Sequence, residues 1–258
     1  INLDDFNICH KKLEIKLKTA KKKNKLPKIL VVVHFAGNPC NLKYIKNLSK
    51  KYKFKILEDA SHALGSKYDN KKIGNCQYSN ATIFSFHPVK PITTAEGGMV
   101  TTNDKKTFEK LILFRNHGIT RNVKKFQNKE KNSWNYEQLE LGYNYRMNDL
   151  EAALGISQLA KLNNFNKIRN KVANIYNTNF KNLSLKTQKI DKNNFSSYHL
   201  FVIYITSNKK NIRKKLFEYF RKNKILVNIH YIPIHSQPYY KKLGFKIGQF
   251  ENSETYYK

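Results

Sequence analysis

The apolar positions in the first half of the chain predict a strand, a helix and a second strand. Ile29 to Phe35 is a continuous β-branched run, which predicts a strand buried on both faces and closed by Gly37 and Pro39. Asn41 to Tyr52 has apolar residues at helical spacing, and Phe54 to Leu57 reads as a second buried strand that ends in Glu58-Asp59. This order predicts a parallel βαβ unit.

Further elements extend the same pattern. Residues 1–28 predict an amphipathic helix followed by a lysine-rich solvated linker. Two short strands are expected at Ala81 to Phe86 and Gly98 to Thr102, with a helix from Asp104 to Phe114. The first half is therefore expected to be α/β with a mainly parallel sheet.

The second half has a different periodicity. Apolar residues keep a three-or-four spacing from Asp149 to Phe180, which predicts one long helix with Asp149 as its cap. A strand at Tyr198 to Thr206, a helix at Lys209 to Lys222 and a strand at Leu226 to Tyr231 should form a smaller α+β domain. We therefore divide the chain into a large domain, 1–148, and a second part, 149–258. Asn122 to Asn132 is polar and lysine-rich, as in an exposed loop.

The net charge of the chain bears on which partners it could bind. The 258 residues include 49 Lys and Arg against 18 Asp and Glu, a formal net charge of +31. So basic a surface attracts polyanions, and nonspecific nucleic-acid binding is one alternative. The lysines are spread through almost every segment, which indicates compositional bias, so we expect no specific nucleic-acid partner. A phosphorylated small-molecule substrate fits the same charge.

Apolar runs and cysteines narrow the class of protein. The longest apolar run, Ile29 to Val33, is far shorter than the ~18–20 residues that cross a bilayer, and no membrane association is expected. Cys9, Cys40 and Cys76 form no C-x-x-C pair, so neither a disulfide framework nor a metal site is predicted. The expected location is the cytoplasm.

Candidate chemistry lies where the predicted strands end. In open α/β sheets ligands bind outside the carboxyl ends of the strands, and Asp59 sits at such an end. A carboxylate there could keep a heterocyclic nitrogen protonated, although a turn or capping aspartate is the plainer alternative. A second strand, Thr82 to Phe86, carries Ser85 and leads into a loop that holds Lys90 between Pro88 and Pro91. A lysine desolvated in such a loop can attack a carbonyl, whereas an ordinary lysine would be solvent-exposed.

Five motifs in this order resemble the DegT/DnrJ/EryC1/StrS family of pyridoxal-phosphate sugar aminotransferases. They are Glu58-Asp59-Ala60-Ser61-His62-Ala63-Leu64-Gly65, Phe84-Ser85-Phe86-His87-Pro88-Val89-Lys90, Glu96-Gly97-Gly98-Met99-Val100, Arg115-Asn116-His117-Gly118 and Leu141-Gly142-Tyr143-Asn144-Tyr145-Arg146-Met147-Asn148-Asp149. The resemblance covers nearly the whole chain and implies the fold type I architecture of these aminotransferases.

The resemblance also implies roles for single residues. Lys90 would be the Schiff-base lysine, Asp59 the partner of the pyridinium nitrogen, and His62 a neighbour of the cofactor ring near its phenolic oxygen. Ser85 would bind the cofactor phosphate, and Asn144 would reach that phosphate from the neighbouring subunit of a homodimer. His230 and Tyr231 fall in the segment that the family places near the nucleotide-sugar substrate.

The implied reaction takes an amino group from L-glutamate to C4 of a UDP-linked 4-keto-6-deoxy-N-acetylhexosamine. Residues 33–37, 87–94 and 229–240 are most similar to the branch of the family that acts in pseudaminic acid biosynthesis. An aminotransferase for another nucleotide-linked keto sugar is the alternative within the family, and an inactive polyanion-binding chain is the alternative outside it. Family members that dehydrate sugars carry histidine in place of the lysine, so Lys90 favours amino transfer.

One departure from the family pattern concerns the ends of the chain. Family members place a small-residue loop, whose N–H groups cradle the cofactor phosphate, before the position at which this sequence starts. Nothing in Ile1 to Pro27 resembles that loop, and the family continues beyond Lys258. We therefore expect a chain that lacks the N-terminal region and the C-terminal end, with its function that of the full-length parent.

Overall fold

The computed structural model describes residues 1–128, 132–207 and 209–258. The α-helices are α1 (His10–Lys22), α2 (Leu42–Tyr52), α3 (Lys105–Arg115), α4 (Asp149–Asn179), α5 (Ile212–Lys222), α6 (Pro238–Lys242) and α7 (Glu251–Tyr257). The strands are β1 (Ile29–Val33), β2 (Lys55–Asp59), β3 (Lys67–Tyr68), β4 (Lys71–Lys72), β5 (Ala81–Ser85), β6 (Gly98–Thr101), β7 (Ile119–Thr120), β8 (Glu137–Gln138), β9 (Leu185–Thr187) and β10 (Ile203–Ile205).

A four-stranded sheet in the order β1-β2-β5-β6 organises the first half. β1, β2 and β5 are parallel, and β6 runs antiparallel to β5. The predicted βαβ unit and the mainly parallel α/β architecture are confirmed.

Helices α1 and α2 cover one face of this sheet. Leu17 of α1 and Ile45 of α2 join Val32, Ile56 and Phe84 from three strands in a single buried cluster. α2 starts where predicted because Asn41 Oδ1 accepts a hydrogen bond from the Tyr44 N–H at 3.2 Å, which caps the first turn.

The expectation that β1 is buried on both faces is wrong. Val32 is fully buried, but Ile29, Val31 and Val33 are 57%, 51% and 44% exposed. β1 is an edge strand, and α1 and α2 pack on the face that Val32 shares. Among the described residues the alternate side chains stay about half exposed, so the continuous apolar run correctly predicted a strand but not its burial.

Three details of the second half also differ from expectation. The cap of α4 is Asn148, which forms a capping box with Glu151, rather than Asp149. The strand expected at Tyr198 to Thr206 is reduced to β10, because Tyr198 has a positive φ of 43° and adjacent serines hydrogen-bond to loops. Leu226 to Tyr231 is not a strand: it finds no pairing partner in the described part, and Leu226 is 82% exposed.

The remaining expectations have mixed outcomes. The helices predicted within residues 1–28, 104–114 and 209–222 are present as α1, α3 and α5. In the segment expected to be an exposed loop, 122–132, a 3-10 turn occupies Val123–Lys125 with exposed side chains, and positions 129–131 lie outside the described residues. The division into 1–148 and 149–258 stays a prediction.

Candidate active site

Two predicted site residues lie on the same face of the sheet. Asp59 ends β2 and pairs with Ile83 of β5, and Ser85 follows two residues later on the face of Ile83. Asp59 Oδ1 accepts hydrogen bonds from the Ser61 N–H at 3.0 Å and the Ser61 hydroxyl at 2.6 Å. Among the described residues no other hydrogen bond reaches this carboxylate, so Oδ2 is available to a ligand.

The loop after Ser85 carries Lys90 and is closed at its base by backbone hydrogen bonds. The Phe86 N–H donates to the Gly97 carbonyl at 2.8 Å, and the Thr94 N–H donates to the Phe86 carbonyl at 3.0 Å. Within the closed loop, the Lys90 N–H donates to the His87 carbonyl at 2.9 Å. The Lys90 side chain is half-buried, as the flanking prolines and small residues suggested.

His62 lies among the other candidates. Burial is the largest cause that lowers the pKa of His62 to about 4; the charges of Lys90 and His230 lower it further, and Asp59 partly opposes them. The Ala36 N–H donates to His62 Nδ1 at 3.3 Å. His62 is therefore neutral at physiological pH with its proton on Nε2, which can donate a hydrogen bond to a bound oxygen or nitrogen.

His230 belongs to the same cluster, and Tyr231 lies at its edge. The His230 ring is 6.4 Å from the Phe35 ring and 4.2 Å from the Tyr231 ring, measured between centroids. Burial lowers the pKa of His230, the Asn228 backbone opposes this, and Lys90 adds to the lowering. Tyr231 is 62% exposed.

Asn144 is held apart from this cluster. It forms a bridge with Asn116, the residue that follows α3, and both belong to predicted motifs. No hydrogen bond within the described part of the chain joins Asn144 to Asp59, Ser85 or Lys90. Its expected contribution to the site of a second copy therefore stays a prediction.

Sequence reasoning missed His199. Its ring lies 4.4 Å from the His62 ring between centroids, at an interplanar angle of 40°. The expected strand at Tyr198 to Thr206 would have treated this histidine as a packing residue. No local sequence signal identifies it, because its position depends on the buried pair Ser196-Ser197, whose hydrogen bonds reach residues more than 130 positions earlier.

The residues present fit a phosphorylated pyridine aldehyde. Asp59 Oδ2 can accept a hydrogen bond from a ring nitrogen, Ser85 supplies a hydroxyl to a phosphate, and Lys90 supplies an amine to an aldehyde. A metal site has no such support, since no group of three or more His, Cys, Asp or Glu side chains in the described ranges could hold an ion. No helix in those ranges is long and apolar enough to cross a membrane.

Comparison with known proteins gives a consistent result. The sequence model of the DegT/DnrJ/EryC1/StrS aminotransferase family matches residues 1–258. A UDP-4-amino-4,6-dideoxy-N-acetyl-beta-L-altrosamine transaminase of Campylobacter jejuni is 41% identical over 256 residues, which are 99% of this chain and 64% of that protein.

Solved structures agree. A Helicobacter pylori aminotransferase involved in the biosynthesis of pseudoaminic acid has a TM-score of 0.86 at 36% identity, over 100% of this chain and 64% of that one. The PLP form of a Streptococcus pneumoniae protein described as a sugar aminotransferase has a TM-score of 0.85 at 25% identity, over 100% of this chain and 67% of that one. The chain thus spans less than two thirds of the length of the Campylobacter and Helicobacter proteins.

Proposed function

This chain belongs to the DegT/DnrJ/EryC1/StrS aminotransferase family, and from that membership we propose that it carries out pyridoxal-phosphate-dependent amino transfer to a nucleotide-linked sugar. The amino donor is L-glutamate. The acceptor is C4 of a UDP-linked 4-keto-6-deoxy-N-acetylhexosamine, as in pseudaminic acid biosynthesis. The 41% identity to the Campylobacter transaminase supports this choice of acceptor.

The observation that carries the proposal is the grouping around His62. Lys90, Asp59 and His230 all act electrostatically on the His62 ring, which supports a site made of an amine, a carboxylate and a neutral imidazole near the carboxyl end of the sheet. An amine that reacts with carbonyls and a carboxylate that can hold a ring proton are the two groups that amino transfer by this cofactor requires.

Each residue has a defined task in the proposed reaction. Pyridoxal phosphate, when bound, supplies the electron sink that allows a proton to leave the α-carbon of the amino donor. Asp59 would hold the proton of the ring nitrogen, and Ser85 would donate its hydroxyl to the phosphate. His62 would donate a hydrogen bond from Nε2 to the cofactor. Lys90 Nζ takes the proton from one carbon and returns it to another, which is general base and then general acid catalysis.

Cofactor attachment is the direct test. Pyridoxal phosphate titrated into the protein should give a new absorbance band, and borohydride reduction followed by peptide mapping should place the label on Lys90. A Lys90→Arg variant should not be labelled, whereas Lys124→Arg, a change in an exposed turn, should behave like the wild type. Labelling at another lysine would contradict the assignment.

The acceptor is tested separately. After L-glutamate converts the protein to its amino form, the UDP-4-keto sugar and a dTDP-4-keto-6-deoxy sugar are offered in parallel, and products are read by mass spectrometry. Faster amination of the UDP sugar is the expected result. Preference for the dTDP sugar would support the aminotransferase activity but contradict the proposed acceptor.

We further propose a homodimer in which Asn144 completes the partner's site. Leu141, Tyr145 and Leu150, which flank Asn144, are 85%, 71% and 85% exposed, and Trp134 is 76% exposed. Apolar and aromatic side chains this exposed are typical of a protein interface.

The proposed location is the cytoplasm, which suits three free thiols.

Mixing variants tests this arrangement. Lys90→Ala and Asn144→Ala chains, each defective alone, should regain cofactor-dependent activity when mixed, because one site of the mixed dimer has both residues. The double variant mixed with either single variant is the matched control and should regain none. No recovery, or a monomer by light scattering, would contradict a shared site.

A further inference from the structure

His199 is a buried neighbour of His62 that comes from the second half of the chain. It follows Ser196-Ser197, which runs beside both His62 and the turn after β1. The His62 and His199 rings are in contact, with 4.4 Å between their centroids. One side of the His62 ring is therefore covered by another imidazole.

A chain of hydrogen bonds fixes the backbone before His199. The Ser197 hydroxyl donates to the His62 carbonyl at 2.7 Å, and the Ser197 N–H donates to Ser66 Oγ at 3.0 Å. The Ser66 hydroxyl in turn donates to the Gly37 carbonyl at 2.7 Å. Because Ser66 and Ser197 are fully buried, these bonds are shielded from water and have little competition.

Gly37 shows how closely these segments approach. It has a φ of +95°, and a Cβ atom there would lie 2.2 Å from Ser197 Oγ and 3.0 Å from the His62 carbonyl oxygen. No residue with a side chain fits this position without displacing Ser197. The geometry thus fixes the position of the segment from Ser197 to His199 relative to His62.

Neither ring is charged at physiological pH. Burial is the main cause that lowers the pKa of His199 to about 3, and the positive charges that His62, Lys90, Arg169 and His230 carry when protonated lower it further. His62 is neutral for the related reasons given above, with the Ala36 N–H on Nδ1. Two neutral rings can pack together without charge repulsion.

We propose that His199 is a positioning residue for amino transfer, whose ring packs on His62 and keeps the Nε2 proton of His62 available to the cofactor. The proposal rests on the proposed function of the site. Its physical basis is the contact between the two rings and the rigid backbone that presents His199, since a covered ring has fewer orientations and less water around it.

The test uses variants that separate ring packing from polarity. His199→Phe keeps a ring against His62, whereas His199→Asn keeps a polar group and leaves a gap beside the ring. His10→Asn is the matched control, because His10 makes a similar ring contact with Tyr44, 4.5 Å between centroids, in the packing of α1 on α2. Thermal unfolding of every variant checks that it is folded.

The first measurement needs no cofactor. NMR titration of His62 Cε1–H should show a ring that stays neutral as the pH falls to about 4 in the wild type. In His199→Asn the His62 ring gains water, so its pKa should move toward 6.5. His199→Phe and His10→Asn should resemble the wild type. An unchanged His62 titration in His199→Asn would overturn the proposal.

The second measurement follows amino transfer. His199→Asn should lower kcat for the glutamate half-reaction about tenfold with little change in KM, and His199→Phe should restore most of it. A change in KM alone, or equal losses in both variants, would overturn the positioning role. If the wild type itself transfers no amino group, the proposed function fails, and with it the catalytic part of this proposal, while the NMR result still decides the contact between the rings.

Discussion

His34 Nε2 lies 2.8 Å from Glu58 Oε2, and the two side chains are 0% and 2% exposed. The Cys40 N–H donates to His34 Nδ1 at 3.1 Å, so the imidazole proton is on Nε2 and is donated to the carboxylate. The Thr82 hydroxyl donates to the other oxygen, Oε1, at 3.2 Å. One buried network therefore joins the end of β1 to β2 and β5, directly beneath Asp59.

Removing the histidine should destabilise the fold strongly. His34→Ala leaves a buried carboxylate with one donor fewer, and a buried charged group that loses a hydrogen-bond partner costs about 1–3 kcal/mol or more. Glu14→Gln, which breaks the exposed pair with Lys51, should cost less than about 1 kcal/mol. Urea unfolding measures both free energies. Equal losses would mean that the buried pair contributes no more than a surface pair.

Acid should destabilise the protein in a window set by two histidines. The pKa values of His62 and His199 are lowered from 6.5 to about 4 and about 3, mainly by burial. Below pH about 6.5 the unfolded chain binds protons that the folded chain does not, so the free energy of unfolding falls as the pH drops toward 4. Above pH about 6.5 both histidines are neutral in the folded and the unfolded chain, so the free energy of unfolding keeps its full value.

Urea midpoints at pH 7.5, 6 and 5 test this dependence. A double variant, His62→Asn with His199→Asn, has lost both groups and should show a shallower decline than the wild type. Glu58 acts at lower pH: burial opposes its ionisation, but His34 and Thr82 lower its pKa, so its contribution is lost as the pH falls through that lowered value. A double variant with the wild-type slope would contradict the histidine assignment.

Asp59→Asn should separate cofactor binding from chemistry. The amide oxygen can still accept from Ser61, which preserves the turn after β2, but a neutral amide cannot stabilise a pyridinium proton. We expect the cofactor band to persist and amino transfer in single turnovers with glutamate to fall about 100-fold, or about 2.7 kcal/mol. Asp104→Asn, which keeps the N-cap of α3, is the control. Near-normal turnover in Asp59→Asn would make this residue purely structural.

Local sequence signals predicted the first half of the fold because they coincide there with tertiary packing. Asn41 caps α2, and the apolar residues spaced from Leu42 to Tyr52 pack on the sheet. β2 ends at Asp59 as expected, and β5 ends at Ser85, one residue before the expected end. The burial of β1 could not be predicted in this way, since a run of apolar residues does not determine which elements pack on each face of the strand.

The same reasoning failed for the segments on either side of α5. Leu226 to Tyr231 has the composition of a strand, but a strand exists through hydrogen bonds to a partner, and composition does not supply that partner. His199 was missed for a related reason. Its position against His62 depends on contacts across more than 130 residues of sequence, which no local pattern encodes.

The two glycines of the Arg115-Asn116-His117-Gly118 and Leu141-Gly142 motifs have a steric explanation. Gly118 has a φ of +70°, and a Cβ atom there would lie 1.7 Å from the Glu140 carbonyl oxygen. A Cβ atom on Gly142 would lie 2.2 Å from the Gly118 nitrogen. The motifs are thus held together backbone to backbone, and the bridge from Asn116 to Asn144 lies at this junction.

Gly118→Ala should therefore be more damaging than its positive φ alone explains. Gly244 has a φ of +92° with nothing within 4 Å of a built Cβ atom, so Gly244→Ala carries the cost of backbone conformation, about 1 kcal/mol, without a clash. Gly118→Ala adds an overlap with backbone atoms that no rotamer relieves, and should cost at least about 2–3 kcal/mol. Urea unfolding of the two variants measures the difference.

Since the overlap also separates the two motifs, Gly118→Ala should weaken any dimer that forms through Asn144, whereas Gly244→Ala should leave it intact. Equal unfolding costs would show that the junction can shift to admit a methyl group.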